Sequence, residues 1–219
     1  MINIVFDMDG VLFDTQKIYT GTWGETAKIL GIENIEKPAF LCIGRNRNDQ
    51  IEILKEFYPA GFPFDEFYRL KDKIFDDHIK DGVPLKKGTV EILKYLKSVN
   101  ARVALASSSR IPVIMHHLEE TGIREYFHEV IGGDLVLHSK PSPDIYLKAC
   151  EMLGTDPEST YGVEDSYNGI IAAAKAGMKV IMVPDVQPPT PEYDKMLFKR
   201  FDSLIDLRDY FIEKEKHNG

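Results

Sequence analysis

The feature that most restricts the fold of this chain is the alternation of short apolar runs with helical patterns. The runs are rich in Val, Ile and Leu, and several end directly in acidic or hydroxyl residues, as buried strands of a parallel sheet do. They lie at residues 2–6, 102–106, 129–131, 160–163 and 179–183. Helical spacing of apolar residues separates most of them. The pattern predicts an α/β fold, a doubly wound parallel sheet with helices on both faces.

Residues 15–83 interrupt this alternation. They contain helical patterns near 16–30, 49–58 and 64–79 and no convincing strand, and Pro59 is predicted to end the second helix. We therefore interpret residues 15–83 as an inserted helical domain, and residues 1–14 and 84–219 as the α/β core domain. Segments 13–15 and 81–84 connect the two and are predicted hinges. The charged tail, residues 213–219, is expected to be frayed.

The charge balance and the cysteines limit the possible partners and location. The net charge is -8 and the pI about 5.3, which argues against a broad basic surface for nucleic acid or anionic membranes. The first residues lack the basic region of a signal peptide. Cys42 and Cys150 lie outside any Cys-x-x-Cys pattern and are expected to be reduced and buried. The expectation is a cytoplasmic monomer that binds neither nucleic acid nor membrane.

Residues with chemically useful side chains follow several of the predicted strands. Since the carboxyl ends of parallel strands meet at one edge of a sheet, these side chains are expected to converge there. They are Asp7 and Asp9 after the first run, Ser107, Ser108 and Ser109 after the second, Lys140 in a loop beyond the third, and Glu164 and Asp165 after the fourth.

Such a group of carboxylates is typical of a site for a divalent cation and a phosphate ester. Clustered carboxylates repel one another and raise each other's pKa values, and Mg²⁺, which prefers carboxylate oxygens and water, relieves that repulsion. A carboxylate such as that of Asp7 is an accepted nucleophile for phosphoryl groups. Lys140 and the Ser107 hydroxyl could then stabilise the transferring phosphoryl group. Asp9 would protonate the leaving oxygen and later deprotonate the attacking water or hydroxyl.

Segments 6–12, 106–107, 139–146 and 162–166 together resemble the haloacid dehalogenase superfamily, in particular its β-phosphoglucomutase-like and small phosphatase branch. The resemblance covers nearly the whole chain. It implies a Rossmann-like core with a mobile helical cap domain that sets substrate choice. It also implies the following roles: Asp7 as nucleophile, Asp9 as acid and base, Ser107 and Lys140 on the phosphoryl group, and Mg²⁺ held by Asp7, the backbone carbonyl of Asp9, and Asp165 with help from Glu164.

Two branches of this superfamily remain open. Asp9 argues against dehalogenases and phosphonate hydrolases, which lack an acid at that position. The mutase branch has a cap histidine where this chain has Tyr19, and a lysine where this chain has Arg110. Trp23 and Arg47 do match the tryptophan and the phosphate-binding arginine of the mutase. The prediction is a Mg²⁺-dependent phosphatase that acts on a small phosphorylated metabolite of the sugar-phosphate class through an aspartyl-phosphate. β-Phosphoglucomutase activity is the alternative.

Other interpretations compete with these assignments. The expected substrate-binding set is Ser107, Ser108, Arg110, Lys140, Trp23 and Arg47. Trp23 is also explained as part of the core of the helical domain, and Arg45 and Arg47 as solvent-facing residues. His116 and His117 are interpreted as surface residues of a helix. A receiver-like module that stores phosphate on an aspartate is a further alternative, against which the helical insertion and Asp9 argue.

Overall fold

A parallel sheet forms the centre of the protein, for which a computed structural model describes residues 1–58 and 61–218. All strand pairs are parallel, and the strand order is β3-β2-β1-β4-β5-β6. The strands are β1 (Asn3–Phe6), β2 (Arg102–Ser107), β3 (Glu129–Gly132), β4 (Tyr161–Glu164), β5 (Lys179–Met182) and β6 (Lys199–Arg200). The predicted parallel sheet is confirmed, and β6, an exposed edge strand that the sequence pattern did not indicate, extends it.

The helices confirm most of the helical patterns and add others. They are α1 (Gln16–Leu30), α2 (Glu36–Leu41), α3 (Arg47–Phe57), α4 (Phe64–Ile79), α5 (Thr89–Ser98), α6 (Ile111–Glu120), α7 (Asp144–Leu153), α8 (Tyr167–Lys175), α9 (Pro191–Asp194) and α10 (Leu204–Asn218). The additional helices are α2, α9 and α10. The charged tail that was expected to be frayed is the last part of α10 as far as residue 218. The predicted helix end at Pro59 and the last residue of the tail lie outside the described residues.

The two faces of the sheet are covered by different helices. Side chains of successive strand residues point to opposite faces, so Ile4 and Phe6 join one apolar core while Val5 joins the other. Residues of α5, α6 and α10 complete the first core, and residues of α7 and α8 complete the second. The sheet is therefore doubly wound, as predicted.

Helices α1 to α4 follow β1 and have an apolar core of their own. Trp23, Leu54 and Phe67 are almost fully buried in it, and it contains no residue of the two cores beside the sheet. These helices occupy the part of the chain that was interpreted as an insertion. Across the described residues, no helix combines the length and the apolar character that crossing a membrane requires.

The strand order determines where the chain can form a site. Strand β1 is central and pairs with β2 on one side and β4 on the other. The chain moves outward in opposite directions from β1, so the connections beyond the carboxyl ends of β1, β2 and β4 diverge and leave a crevice. Asp7, Ser107 and Glu164 lie at these strand ends.

Candidate active site

Lys140 brings together the carboxylates that end two neighbouring strands. Its Nζ donates a hydrogen bond to Oδ1 of Asp7 at 2.5 Å and another to Oε1 of Glu164 at 2.6 Å. Lys140 reaches them from the loop between β3 and α7 and is 1% exposed. Although burial opposes its charge, the carboxylates of Asp7 and Glu164 raise the pKa of Lys140, so it stays protonated. The predicted convergence of these residues is thus present in the structure.

Glu164 is held by donors on both of its oxygens. The hydroxyl of Tyr146 donates to Oε1 at 2.5 Å, in addition to Lys140, and the hydroxyl of Ser166 donates to Oε2 at 3.0 Å. Sequence reasoning did not assign a role in the site to Tyr146 or Ser166. Both stand in the segments that carry the family resemblance, which was the one indication available. Glu164 therefore orients Lys140, and its oxygens are less available to a cation than those of Asp165.

The carboxylates of Asp7, Glu164 and Asp165 form a cluster that fits a divalent cation. One oxygen of each lies within 4.8 Å of the others. Oδ2 of Asp165 is buried and has no hydrogen-bond partner among the described residues. Burial raises the pKa of Asp165 well above its usual range, and Glu164 and Asp7 raise it further. A hard cation would satisfy this oxygen and offset the repulsion, and Mg²⁺ accepts this type of ligand.

The nucleophile candidate Asp7 is 8% exposed, and Gly10 lets the chain after it pass close to Asp165. Burial raises the pKa of Asp7 to about 8, although Lys140 opposes the shift. Gly10 has φ +81, and a Cβ at this position would lie 2.2 Å from Oδ2 of Asp165. Only glycine fits this backbone without displacing the carboxylate.

Asp9 is held by a residue that sequence reasoning did not place in the site. The hydroxyl of Thr15 donates to Oδ1 of Asp9 at 2.5 Å, and Thr15 is 1% exposed. Burial raises the pKa of Asp9, while the bond from Thr15 opposes that shift. No local pattern distinguished Thr15, because threonine before a helix is ordinarily a cap.

A cleft of about 680 Å³ separates the end of the sheet from the inserted helices. Most of the predicted site residues line it. Lys140 and Glu164 do not line it, because both are almost fully buried. The predicted residues that line it are Asp7, Asp9, Arg47, Ser107, Ser108, Arg110 and Asp165. The inserted helices contribute Tyr19, whose hydroxyl lies within hydrogen-bond distance of the side-chain amide of Gln50. Residues of the α/β core and residues of the inserted helices therefore both line the cleft.

Trp23 does not line this cleft. It is 1% exposed, and its ring packs at 5.4 Å from Phe67 and 6.4 Å from Tyr68, centroid to centroid. The expectation that Trp23 binds substrate is therefore replaced by its alternative, a place in the core of the helical domain. The reason is its position on the inner face of α1, which faces α4.

The two arginines near the start of α3 have different surroundings. Arg47 forms an ion pair with Asp72 and stacks over the ring of Tyr68 at 4.7 Å. Arg45 also lines the cleft, and its Nε is buried without a hydrogen-bond partner among the described residues. The interpretation of Arg45 as solvent-facing is corrected, because the loop between α2 and α3 folds against the core and carries this side chain into the cleft.

Comparisons with known proteins identify the family of this chain. A family model described as haloacid dehalogenase-like hydrolase matches residues 4–183. The chain is 30% identical over 182 residues to "Phosphorylated carbohydrates phosphatase" of Thermotoga maritima, covering 81% of this chain and 82% of that protein. It is also 30% identical over 193 residues to "Beta-phosphoglucomutase" of Bacillus subtilis, covering 83% of this chain and 84% of that protein.

Among solved structures, CbbY from Rhodobacter sphaeroides in complex with phosphate is similar over 94% of this chain and 96% of that chain, with 29% identity and a TM-score of 0.77. The family model spans the strand ends that carry Asp7, Ser107, Glu164 and Asp165. The chain therefore belongs to the haloacid dehalogenase-like hydrolase family.

Proposed function

We propose that this protein is a Mg²⁺-dependent phosphatase that hydrolyses a small phosphorylated carbohydrate through a phosphoaspartate at Asp7. The observation that carries the proposal is the buried contact of Lys140 with Asp7 beside an unpaired carboxylate oxygen of Asp165. A lysine held against a buried carboxylate next to a cation site suits transfer of an anionic group better than it suits a structural core. The names of the relatives support phosphate esters of carbohydrates as the substrate class.

The cation site consists of Asp7, Asp165 and the backbone carbonyl of Asp9, with Glu164 beside them. When bound, Mg²⁺ would offset the charge of these carboxylates and of the phosphoryl oxygens. Lys140 and Ser107 supply further positive charge and a hydroxyl at the same place.

In the first step, a carboxylate oxygen of Asp7 forms a bond to phosphorus while the bond from phosphorus to the ester oxygen breaks. Asp9 gives its proton to the leaving oxygen, and the released product is an alcohol. The raised pKa of Asp9 favours the protonated form that this step requires.

In the second step, Asp9 takes a proton from a water molecule whose oxygen attacks the phosphorus. The bond between phosphorus and the Asp7 oxygen breaks, so inorganic phosphate leaves and both aspartates return to their starting state. Residues 15–83 act as a mobile cap domain over the core of residues 1–14 and 84–219, which closes over bound substrate and limits the entry of bulk water during the reaction.

The test is hydrolysis of phenyl phosphate and of a panel of sugar phosphates with Mg²⁺. Asp7→Asn should lower kcat by at least about 1,000-fold, because it removes the nucleophile. Asp14→Asn is the matched control, since Asp14 is an exposed aspartate a few residues further along the chain, and it should leave kcat unchanged. Chelation of Mg²⁺ should abolish activity and its addition should restore it. Full activity of Asp7→Asn would disprove the mechanism.

Phosphomutase activity is the second candidate. Arg45 and Arg47 both line the cleft from the helical side, and two guanidinium groups suit the second phosphate of a bisphosphate. β-Glucose 1-phosphate with a trace of the 1,6-bisphosphate separates the two functions. The phosphatase releases inorganic phosphate, whereas a mutase accumulates glucose 6-phosphate without it.

A further inference from the structure

His117 is a buried histidine in the wall of the cleft. It lies on α6, is 6% exposed, and lines the same cavity as Asp7 and Asp9. Its neighbour His116 is exposed, so the interpretation of both histidines as surface residues is correct for His116 and wrong for His117. The difference arises because successive residues of a helix point in different directions, and α6 packs the face that carries His117 against the core.

The ring of His117 lies beside the hinge segment next to Asp9. Its centroid is 6.0 Å from that of Phe13, and Phe13 forms a backbone bridge with Asp9. The phosphoryl group is expected at Asp7 and Lys140, and Asp9 is the proposed donor to the leaving oxygen. The wall next to Asp9 therefore faces the organic part of the substrate.

The imidazole of His117 has no hydrogen-bond partner among the described residues, and its Nδ1 is buried. A buried polar group without a partner destabilises the folded state, and such groups are uncommon in native proteins. Burial lowers the pKa of His117 although Asp9, Glu120 and Asp76 oppose the shift, which favours the neutral ring. A neutral imidazole has one donor and one acceptor, the complement of a hydroxyl group.

We infer that His117 is a specificity-determining residue that hydrogen-bonds a hydroxyl group of the organic part of the substrate. The inference rests on the proposed phosphatase function and adds to it the residue that recognises a hydroxyl group of the organic part. His117 lines the cleft, so a hydroxyl group of the bound substrate can supply a partner that the described residues do not, and that partner leaves with the alcohol product.

The experiment compares His117→Leu, His117→Asn and the control His116→Leu with the wild type. The substrates are phenyl phosphate, which has no hydroxyl on its organic part, and ribose 5-phosphate, glucose 6-phosphate, sorbitol 6-phosphate and glycerol 3-phosphate. For the best of the four hydroxylated esters, His117→Leu should lower kcat/KM at least about tenfold, the effect of one lost hydrogen bond. Its kcat/KM for phenyl phosphate should stay within about twofold.

The remaining variants separate recognition from folding. His117→Asn, which keeps a donor and an acceptor, should retain more activity on the hydroxylated ester than His117→Leu. The melting temperature of His117→Leu should be unchanged or higher, because the variant removes an unpaired polar group. If His117→Leu does not fold, His117→Phe, which fills the space without a hydrogen-bonding group, takes its place, and an unchanged substrate preference in that variant overturns the inference. His116→Leu should match the wild type on every substrate.

Two results would reject the role of His117 while leaving the phosphoaspartate mechanism at Asp7 intact. One is an equal loss of kcat/KM on phenyl phosphate and on the hydroxylated ester. The other is a wild type that hydrolyses phenyl phosphate but none of the four hydroxylated esters. A wild type that hydrolyses none of the five compounds would overturn both proposals together.

Discussion

At the scale of single residues, the orientation of Asp9 depends on Thr15, whose side chain does not cap the helix that it precedes. Thr15 precedes α1, where a threonine side chain commonly accepts a hydrogen bond from the helix backbone. Here its side chain makes no such bond and donates to Asp9. Because Thr15 is almost fully buried, this carboxylate is held in one direction, which a group that must both give and take a proton requires.

Thr15→Val keeps the shape of the side chain and removes the hydroxyl. We expect kcat for phenyl phosphate to fall about tenfold or more, with little change in KM, because a misplaced proton donor affects the transition state rather than binding. Thr15→Ser retains the hydroxyl and should keep most of the activity. Steady-state kinetics of the three proteins decide, and a wild-type kcat for Thr15→Val would show that Asp9 needs no such support.

At the scale of elements, the turn between β4 and α8 packs the first turn of α8 closely against Glu164. Ser166 accepts a hydrogen bond from the backbone N–H of Gly169 at 3.1 Å and donates one to Glu164. A Cβ on Gly169 would lie 1.9 Å from the carboxyl carbon of Glu164. The absence of a side chain at this helix position is therefore what allows Glu164 to reach Lys140.

Gly169→Ala tests this close approach. The added methyl group should lower the free energy of unfolding by about 1–3 kcal/mol, the usual cost of overpacking, and should reduce activity by displacing Glu164. Gly24→Ala is the matched control within α1, where a Cβ meets nothing within 4 Å. There the exchange should raise the free energy of unfolding by up to about 1 kcal/mol. Urea unfolding measures both, and equal effects would contradict the argument.

At the scale of the whole molecule, one segment of the proposed cap domain rests on the core through polar contacts. Asn168 donates to the carbonyl of Ile43 at 2.7 Å, and Ser108 donates to the carbonyl of Gly44 at 2.8 Å. The connecting segments also pair with each other, since the N–H of Asp14 donates to the carbonyl of Pro84 at 2.9 Å. Most of the described side-chain contacts of this segment with the core are polar, and the ring of Phe40, 6.1 Å from that of Tyr167, adds an apolar one. Phe40 is not part of the apolar core of the helical domain, so the two parts can separate without opening that core.

Asn168→Ala removes one of these contacts without touching the carboxylate cluster. Backbone amides of residues 40–46 should exchange with solvent severalfold faster, because the segment opens more often, while those of α10 should be unaffected. Lys175→Ala is the control, since Lys175 is exposed on the same helix. Hydrogen exchange followed by mass spectrometry gives the answer, and unchanged exchange at residues 40–46 would mean that Asn168 does not hold the segment.

Prediction from the sequence succeeded where the information is local. Apolar runs of strand length and helical spacing identified β1 to β5 and helices such as α1 and α4. An element that buries one face repeats apolar residues at the period of that face, so the period can be read from the sequence. The missed elements lack that period. Helices α2 and α9 are too short to show it. The apolar residues of α10, such as Leu207 and Phe211, stand among many charged ones.

By itself the sequence determined the family, the doubly wound sheet and the acids and hydroxyls at its carboxyl edge, since residue type and order along the chain are enough for these. Only the tertiary structure decided which side chains meet. Lys140 reaches Asp7 across a separation of 133 residues in the sequence. The side chain of Trp23 packs in the core of the helical domain, and His117 lines the cleft. The physical reason is that the partner of each side chain is set by how helices and strands pack, which no local pattern of residues records.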